Sequence, residues 1–460
     1  MTISMKRLSV STAAALSLIL APSAALAAET STPGTAAEPP TAAETNTSTD
    51  QVTIDLYNLT DIHGHIEKVT NSKTGAVTEA GLAATSCYIN KAKEKNPDSQ
   101  FLLLGDNIGA SPFTSGSQND NPTIEALNKM GVFASTIGNH EFDKGIQALK
   151  DRFEGKNGFS RIDFRYLGAN VEGLKPYLDD YAIWTAPSGV KIAFIGAIED
   201  DVATKLAPGT VDSLTFNKPA PVINKIAEQL KTEKKADIVV AMFDNDVERS
   251  YPLMGKYVDG IMGGDTHKPY YFTQVKANDG HVLSATASGS FTDNLSNLQF
   301  VYNKKEGKIV ASKAIQIPAA DVAACGEDEA VKKVVDAAAA KAKEKKAEVV
   351  STGTGSFYRG IQKGGGENRG TESTIGGLIG DSMKNTFKDL DGNPIDIGII
   401  NAGGIRADLV SAGGKLTVGD VFAAQPFSNE VGYVKMTGAQ FKTLLEQQWK
   451  QLGKILPAQC

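Results

Sequence analysis

What most restricts this chain is a series of short runs rich in Val, Ile and Phe, each of which halts on a polar cluster. The runs are Val52–Leu59, Phe101–Leu104, Ala134–Ile137, Val190–Ile195, Asp237–Phe243 and Val258–Met262. Runs of this length, apolar on both faces, suit central strands of a sheet covered by helices on each side. Amphipathic stretches between them, Glu79–Lys95, Thr123–Met130, Lys144–Phe153 and Ala220–Lys231, are read as those helices. The pattern predicts an α/β domain with a layered sheet. At 460 residues, 41% hydrophobic and 22% charged, the chain has ample material for a core, which excludes a disordered, collagen-like or disulfide-framework protein. A formal net charge of −6 argues against a nucleic-acid polymer as partner, though not against a small anion held at a local site.

The N-terminus reads as an export signal spanning residues 1–27. Lys6-Arg7 precedes an apolar run from Leu8 to about Ala21, and Ala25-Leu26-Ala27 supplies a small-residue cleavage pattern. Residues 28–50, rich in Thr, Ala, Pro and Glu, read as a disordered spacer. The expected location is therefore outside the cytoplasm, secreted or in the cell envelope, with no transmembrane segment once the signal is cleaved. Of the three cysteines, Cys87 falls in a helical pattern and reads as a small buried hydrophobe, while a Cys325–Cys460 pair stays open.

Near residue 318 the character changes. Asp328–Val350 is rich in Ala, Lys and Glu and strongly helical; a solvent-facing connector and a helix packed on the first domain both fit it. Beyond lie a Gly-rich stretch, the apolar runs Ile395–Ile400 and Val431–Met436, and a helix over Gly438–Lys450. The expected division is a first domain over 51–318, a linker helix over 319–345 and a second domain over 346–460.

The chemistry sits where the runs stop. Thr60-Asp61-Ile62-His63-Gly64 follows the first, Gly105-Asp106-Asn107 the second and Gly138-Asn139-His140-Glu141 the third; Asp244-Asn245-Asp246 and Gly263-Gly264-Asp265-Thr266-His267 follow later ones. In an open α/β sheet the carboxyl ends of the strands form the ligand crevice. Carboxylates gathered there repel one another and take up protons unless divalent cations compensate them. A single Asp after a strand is more often a helix cap; the ordered set is far more specific.

That set resembles the calcineurin-like metallophosphoesterases and, among them, the exported bacterial 5′-nucleotidases and UDP-sugar hydrolases, over Val52 to about Lys450. The resemblance implies a four-layer sandwich, two sheets flanked by helices, followed by a smaller α/β substrate-binding domain. It also implies two divalent metal ions. Asp61, His63 and His267 match ligands of one, Asp106 the bridging carboxylate and Asn139 an amide ligand of the second. His140 matches the family's non-ligand histidine that approaches the substrate phosphate, and Asp143 is placed to orient its ring. Two positions depart from the family: Asp244 and Asp265 stand where histidines are usual. The second metal would then have an all-oxygen shell of Asp106, Asn139, Asp244 and Asp265, which favours a harder cation such as Mn, Mg or Ca over Zn; the alternative is a degraded site that holds one metal. His65 could reach the crevice but is expected on an exposed loop, and His281, in Asn278-Asp279-Gly280-His281, in a turn with no role.

Asn401-Ala402-Gly403-Gly404-Ile405-Arg406 resembles the nucleotide-binding signature of the 5′-nucleotidase C-terminal domain, with Asn401, Gly403, Gly404 and Arg406 as contacts. Arg369 matches a second arginine of the family, and Phe427, in Pro426-Phe427, its base-stacking ring. The family's further strands, second aromatic and Gly-Gly-Asp segment do not appear before Cys460, so the second domain is expected to be incomplete, with an exposed sheet edge. The implied function is hydrolysis of nucleoside 5′-monophosphates, with UDP-sugars as a further class, through attack by a metal-bound hydroxide. The alternatives are a 2′,3′-cyclic nucleotide phosphodiesterase and a non-catalytic surface protein that binds metal or nucleotide.

Overall fold

The computed structural model describes residues 50–447 except 208, 354, 361–369 and 427–430. The export-signal and spacer stretches, the Gly364-Gly365-Gly366 loop, Arg369, Phe427 and Cys460 lie outside the described residues.

Two sheets form the body. The first has seven strands in the order Lys308–Pro318, Asn294–Asn303, Gln51–Leu59, Ser99–Leu103, Ala134–Thr136, Arg165–Leu167 and Leu178–Asp179. The second has six, in the order Pro269–Lys276, Val282–Ser288, Gly260–Gly263, Ile238–Asp244, Lys191–Ile198 and Tyr181–Thr185. Five strands of the first sheet, from Gln51–Leu59 through Leu178–Asp179, run parallel, as do Lys191–Ile198, Ile238–Asp244, Gly260–Gly263 and Val282–Ser288 in the second.

Alternate residues of each strand serve different cores, which is why these strands are apolar on both faces. In the first sheet Leu102 and Leu104 face the space between the sheets, while Phe101 and Leu103 face helices. In the second, Ile192, Phe194, Val240 and Met242 face the first sheet, while Ala193, Ile195, Val239 and Ala241 pack with the helix Pro219–Thr232. The outer face of the first sheet is covered by Leu82–Lys95, Asn121–Met130 and Glu329–Lys346. The result is the helix–sheet–sheet–helix sandwich the sequence resemblance implied. Each fully buried Phe or Ile contributes about 1.5–3 kcal/mol relative to exposure.

The helix Glu329–Lys346 settles the open question about Asp328–Val350. Val331, Val335, Ala338 and Ala342 are buried at helical spacing, so the element packs on the first domain and shows its Lys-rich face to water. Asp328 caps it by accepting from the Val331 amide (3.0 Å). Cys87, read as a buried hydrophobe, instead forms a disulfide with Cys325, Cα to Cα 6.1 Å, tying the helix Leu82–Lys95 to the segment before Asp328. The open Cys325–Cys460 pairing is therefore replaced by one 238 residues apart in sequence.

The C-terminal region is thinner. Its core is Ile375, Ile405, Leu409 and Ala424, beside the two-stranded ribbon of Val349–Thr352 and Lys415–Thr417. The apolar runs 395–400 and 431–436 form no strand, and Ile397, Ile399 and Val434 are 52%, 58% and 72% exposed. Helix Val418–Ala424 touches the first domain where Phe422 meets the edge of Phe113, ring centres 4.9 Å apart. Among the described residues no helix is long and apolar enough to cross a membrane.

Candidate metal centre

Parallel register levels the strand ends. Leu59 pairs with Leu103 in the first sheet; Ile198 pairs with Asp244, and Phe243 with Gly263, in the second. The loops that follow leave both sheets at one end and meet there. Asp61, His63, Asp106, Asp265 and His267 all have positive φ, between 46° and 67°. Five non-glycine residues in the left-handed region represent stored strain, which turns each side chain back toward the crevice.

The donor atoms fall into three overlapping groups, each within 4.8 Å: Asp61, His63 and His267; His63, Asp106 and His140; and Asp106, Asp244 and Asp265. Asp106 belongs to two of them. The structure thus brings Asp61, His63, Asp106, His140, Asp244, Asp265 and His267 together, and it places Asn139 beside Asp265. The Asn139 amide donates to Asp265 Oδ1 (3.3 Å) and accepts from the His140 amide (3.2 Å).

His63 donates Nδ1–H to the Gly109 carbonyl (3.0 Å), which leaves its Nε2 lone pair facing His267 Nε2 at 3.1 Å. Burial, with His140 and His267 nearby, pushes the His63 imidazolium down to about 3, so the ring is neutral. Burial and the neighbouring Asp106 push the Asp61 carboxyl well above its ordinary range, and burial with Asp106 and Asp265 does the same to Asp244. Among the described residues, Asp244 Oδ1 is buried with no hydrogen-bond partner. An orphaned carboxylate oxygen, a neutral imidazole lone pair and carboxylates that repel one another are what a divalent cation would relieve, so these residues fit the metal their pattern implies.

His140 behaves differently. Burial opposes its charge, but Asp106 and Asp143 prevail and raise it to about 9, with Nδ1 bonded to Asp143 Oδ2 at 2.8 Å. It presents an imidazolium at the rim. The loops are held close by glycines. A Cβ on Gly138 would stand 2.3 Å from Asp106 Oδ1, and one on Gly264 would stand 2.1 Å from Thr60 Oγ1, the hydroxyl that donates to Asp61.

Four residues of the site carried no assignment from sequence. Glu141 is buried and accepts from the amides of Asp106 (3.0 Å), Asn107 (2.9 Å) and Gly138 (2.8 Å), stapling two ligand loops together. Lys205, after the turn Val202–Thr204, reaches Asp265 and is held on its other side by Glu199, which follows Lys191–Ile198. Phe291, at φ 58°, stacks on His65 with ring centres 3.6 Å apart. His65 is accordingly a half-buried wall of the crevice, bonded to Glu79 at 2.8 Å, and not the exposed loop residue expected. The signal for Glu199 was the strand-end rule itself, applied to one more strand. His281 closes a turn through Asp279 and the Val258 carbonyl.

In the C-terminal region Asn401 opens a short turn, Ala402–Gly404, and accepts from Gly404 N at 2.9 Å. Arg406 is exposed, its amide bonded to the Ala424 carbonyl (2.9 Å) and its Nη1 to Gly403 O (3.3 Å).

A layered two-sheet fold with Asp, Asn and His converging on its strand ends defines a metallophosphoesterase, and residues 56–269 match the calcineurin-like phosphoesterase family. Residues 351–455 match the 5′-nucleotidase C-terminal domain, so the chain carries a phosphoesterase unit followed by a 5′-nucleotidase C-terminal unit. Among curated relatives, Endonuclease YhcR of Bacillus subtilis is 25% identical over 87% of this chain and 33% of its own length. Cell wall protein Lmo0130 of Listeria monocytogenes is 26% identical over 87% of this chain and 57% of its own. The 5′-nucleotidase of Vibrio cholerae is 26% identical over 84% and 74%. The chain thus spans between a third and somewhat over half of the first two relatives. The same fold occurs in a 5′-nucleotidase precursor from Thermus thermophilus, TM-score 0.59 at 22% identity, covering 82% of this chain and 74% of that one. It occurs also in a putative 5′-nucleotidase from Staphylococcus aureus, TM-score 0.63 at 17% identity, covering 86% and 76%.

Proposed function

We propose that this protein is an exported, metal-dependent phosphohydrolase of nucleoside 5′-monophosphates, with UDP-sugars as a further substrate class. The observation that carries the reading is the convergence of three donor groups on one crevice, with Asp106 shared between two. Asp61, His63, Asp106 and His267 would hold one divalent cation; Asp106, Asn139, Asp244 and Asp265 would hold a second. The second set is all oxygen, so Mn²⁺, Mg²⁺ or Ca²⁺ suits it better than Zn²⁺. Bound there, the cations would supply Lewis-acid charge to the phosphoryl oxygens and acidify water.

The chain's own groups do the rest. His140, charged and steered by Asp143, donates to a phosphoryl oxygen and stabilises the charge that develops there. Glu141 keeps the Asp106 and Asn139 loops in register. In the second domain, which we place at 346–460 after a linker over 319–345, Asn401, Gly403, Gly404 and Arg406 grip the nucleotide, Arg406 by a planar fork. Arg369 and Phe427 are proposed as further contacts on the sequence resemblance alone. Export accords with Lys6-Arg7 and the apolar run behind them, and with a relative named as a cell wall protein.

The test is turnover by metal-stripped protein reloaded with single cations, against AMP, UDP-glucose, 2′,3′-cyclic AMP and p-nitrophenyl phosphate. Phosphate release from AMP that depends on the added cation is expected, with Mn²⁺ at least as effective as Zn²⁺. Saturable nucleotide binding without release under any cation would leave a binding protein instead.

A further inference from the structure

A lysine stands at the oxygen-rich end of the crevice. Lys205 Nζ lies 2.5 Å from Asp265 Oδ1 and touches Glu199 Oε1 on its other side. Three segments build this contact. Glu199 directly follows the strand Lys191–Ile198, Lys205 follows the short turn Val202–Thr204, and Asp265 lies just past Gly260–Gly263. The carboxylate side chains are 12% and 15% exposed and the lysine 32%, so solvent screens the contact only in part. Glu199 pins the ammonium, which therefore does not swing freely off Asp265.

Asp265 is also one of the three carboxylates that stand within 4.8 Å of one another with Asp106 and Asp244. The ammonium takes up an oxygen that a cation there would need, and its charge repels that cation at close range. The opposite group has a cationic neighbour too, the His140 imidazolium, but that ring is bonded to Asp143 rather than to a carboxylate of the group. Asp61, His63 and His267 meet through an imidazole whose Nδ1 is satisfied by Gly109 and whose Nε2 faces His267 Nε2, with no ammonium on its carboxylate among the described contacts. The two donor groups would therefore offer a cation unequal electrostatics.

We infer that Lys205 is a built-in cation that competes for Asp265, so that the centre holds one divalent ion tightly between Asp61, His63, Asp106 and His267 and a second only weakly. The inference rests on the metal centre proposed above and names what makes its two halves unequal. It concerns binding, and it can be read without turnover.

The experiment is Mn²⁺ titration by calorimetry, with ion counting by mass spectrometry after desalting and electron paramagnetic resonance for spin-coupled pairs. Wild type, Lys205→Gln, Lys205→Met and Lys205→Arg are compared, their folding checked by thermal melts. Wild type should retain one Mn²⁺ per chain and show coupling only at high Mn²⁺. Both neutral variants should tighten the second ion by about ten- to a thousandfold, the range over which one neighbouring charge shifts an ionisation. Lys205→Arg should behave like wild type. Two equally tight ions in wild type, or an unchanged second affinity in both neutral variants, overturns the role of the lysine and leaves the metal centre standing. No retained Mn²⁺ in any variant overturns the centre and the inference with it.

Discussion

Gly138→Ala is a one-methyl test of how the centre is held. The added Cβ would stand 2.3 Å from Asp106 Oδ1, 2.4 Å from Asp106 N and 2.9 Å from Asp106 Cγ. The backbone cannot retreat easily, because Glu141 bonds the amides of Asp106, Asn107 and Gly138 at once. The carboxylate must therefore move by about 1 Å to reach an ordinary carbon–oxygen separation. Asp106 serves two donor groups, so the shift disturbs both at once. A misplacement of about 1 Å costs roughly 10²-fold in rate, while overpacking costs about 1–3 kcal/mol of stability. The assay is kcat/KM for AMP at saturating Mn²⁺, beside Mn²⁺ affinity and a thermal melt. Gly377→Ala is the control, since a Cβ there meets nothing within 4 Å. A folded Gly138→Ala protein with wild-type Mn²⁺ affinity and turnover would refute the reasoning.

Further predictions concern charge, pH and the disulfide. Asp244→Asn should raise the Tm of the metal-free protein at pH 8, because it removes a buried, unpartnered carboxylate, yet weaken Mn²⁺ binding at least about tenfold; stabilisation without a binding defect would count against a ligand role. In the metal-free protein the folded-state values of Asp61 and Asp244 are raised, so the folded state binds more protons than the unfolded one. Its stability should accordingly fall as pH rises from the ordinary carboxylate value of 3.8 toward those raised values, and Mn²⁺ should lift Tm more at pH 8 than at pH 5. Because His63 works in the opposite direction over the same window, the check is the difference between wild type and Asp244→Asn: a metal-free Tm gain for Asp244→Asn that does not grow as pH rises would refute the account. Reducing Cys87–Cys325, or Cys87→Ser, should cost about 2–5 kcal/mol, as a cross-link over a separation of 238 residues does, with Mn²⁺ affinity retained; an unchanged Tm would show the link to be idle.

The fold was readable where burial on both faces leaves a strong local mark. Ile192, Phe194, Val239 and Val240 announce central strands because no partly exposed position interrupts them. The C-terminal runs 395–400 and 431–436 have the same apolar character, but among the described residues they pair with no strand and stay irregular. Strand ends were readable for a topological reason: parallel register carries every loop to one edge, so Asp61, Asp106 and Asp265 meet although far apart in sequence. Contacts that depend on three-dimensional accident were not. Lys205 lies in a turn with no motif around it, and nothing local says its ammonium reaches Asp265 across 60 residues. Cys87 and Cys325 meet only because two elements pack side by side. His65 looks like a loop residue until Phe291, in its strained conformation, closes over it.

The most direct test is an anomalous-diffraction map from crystals of the metal-stripped protein soaked in Mn²⁺. A strong peak bonded by Asp61, His63, Asp106 and His267, with a weaker one toward Asp244 and Asp265, is what the account predicts. Manganese bound elsewhere, or an ordered crevice that stays free of it at millimolar Mn²⁺, would contradict it.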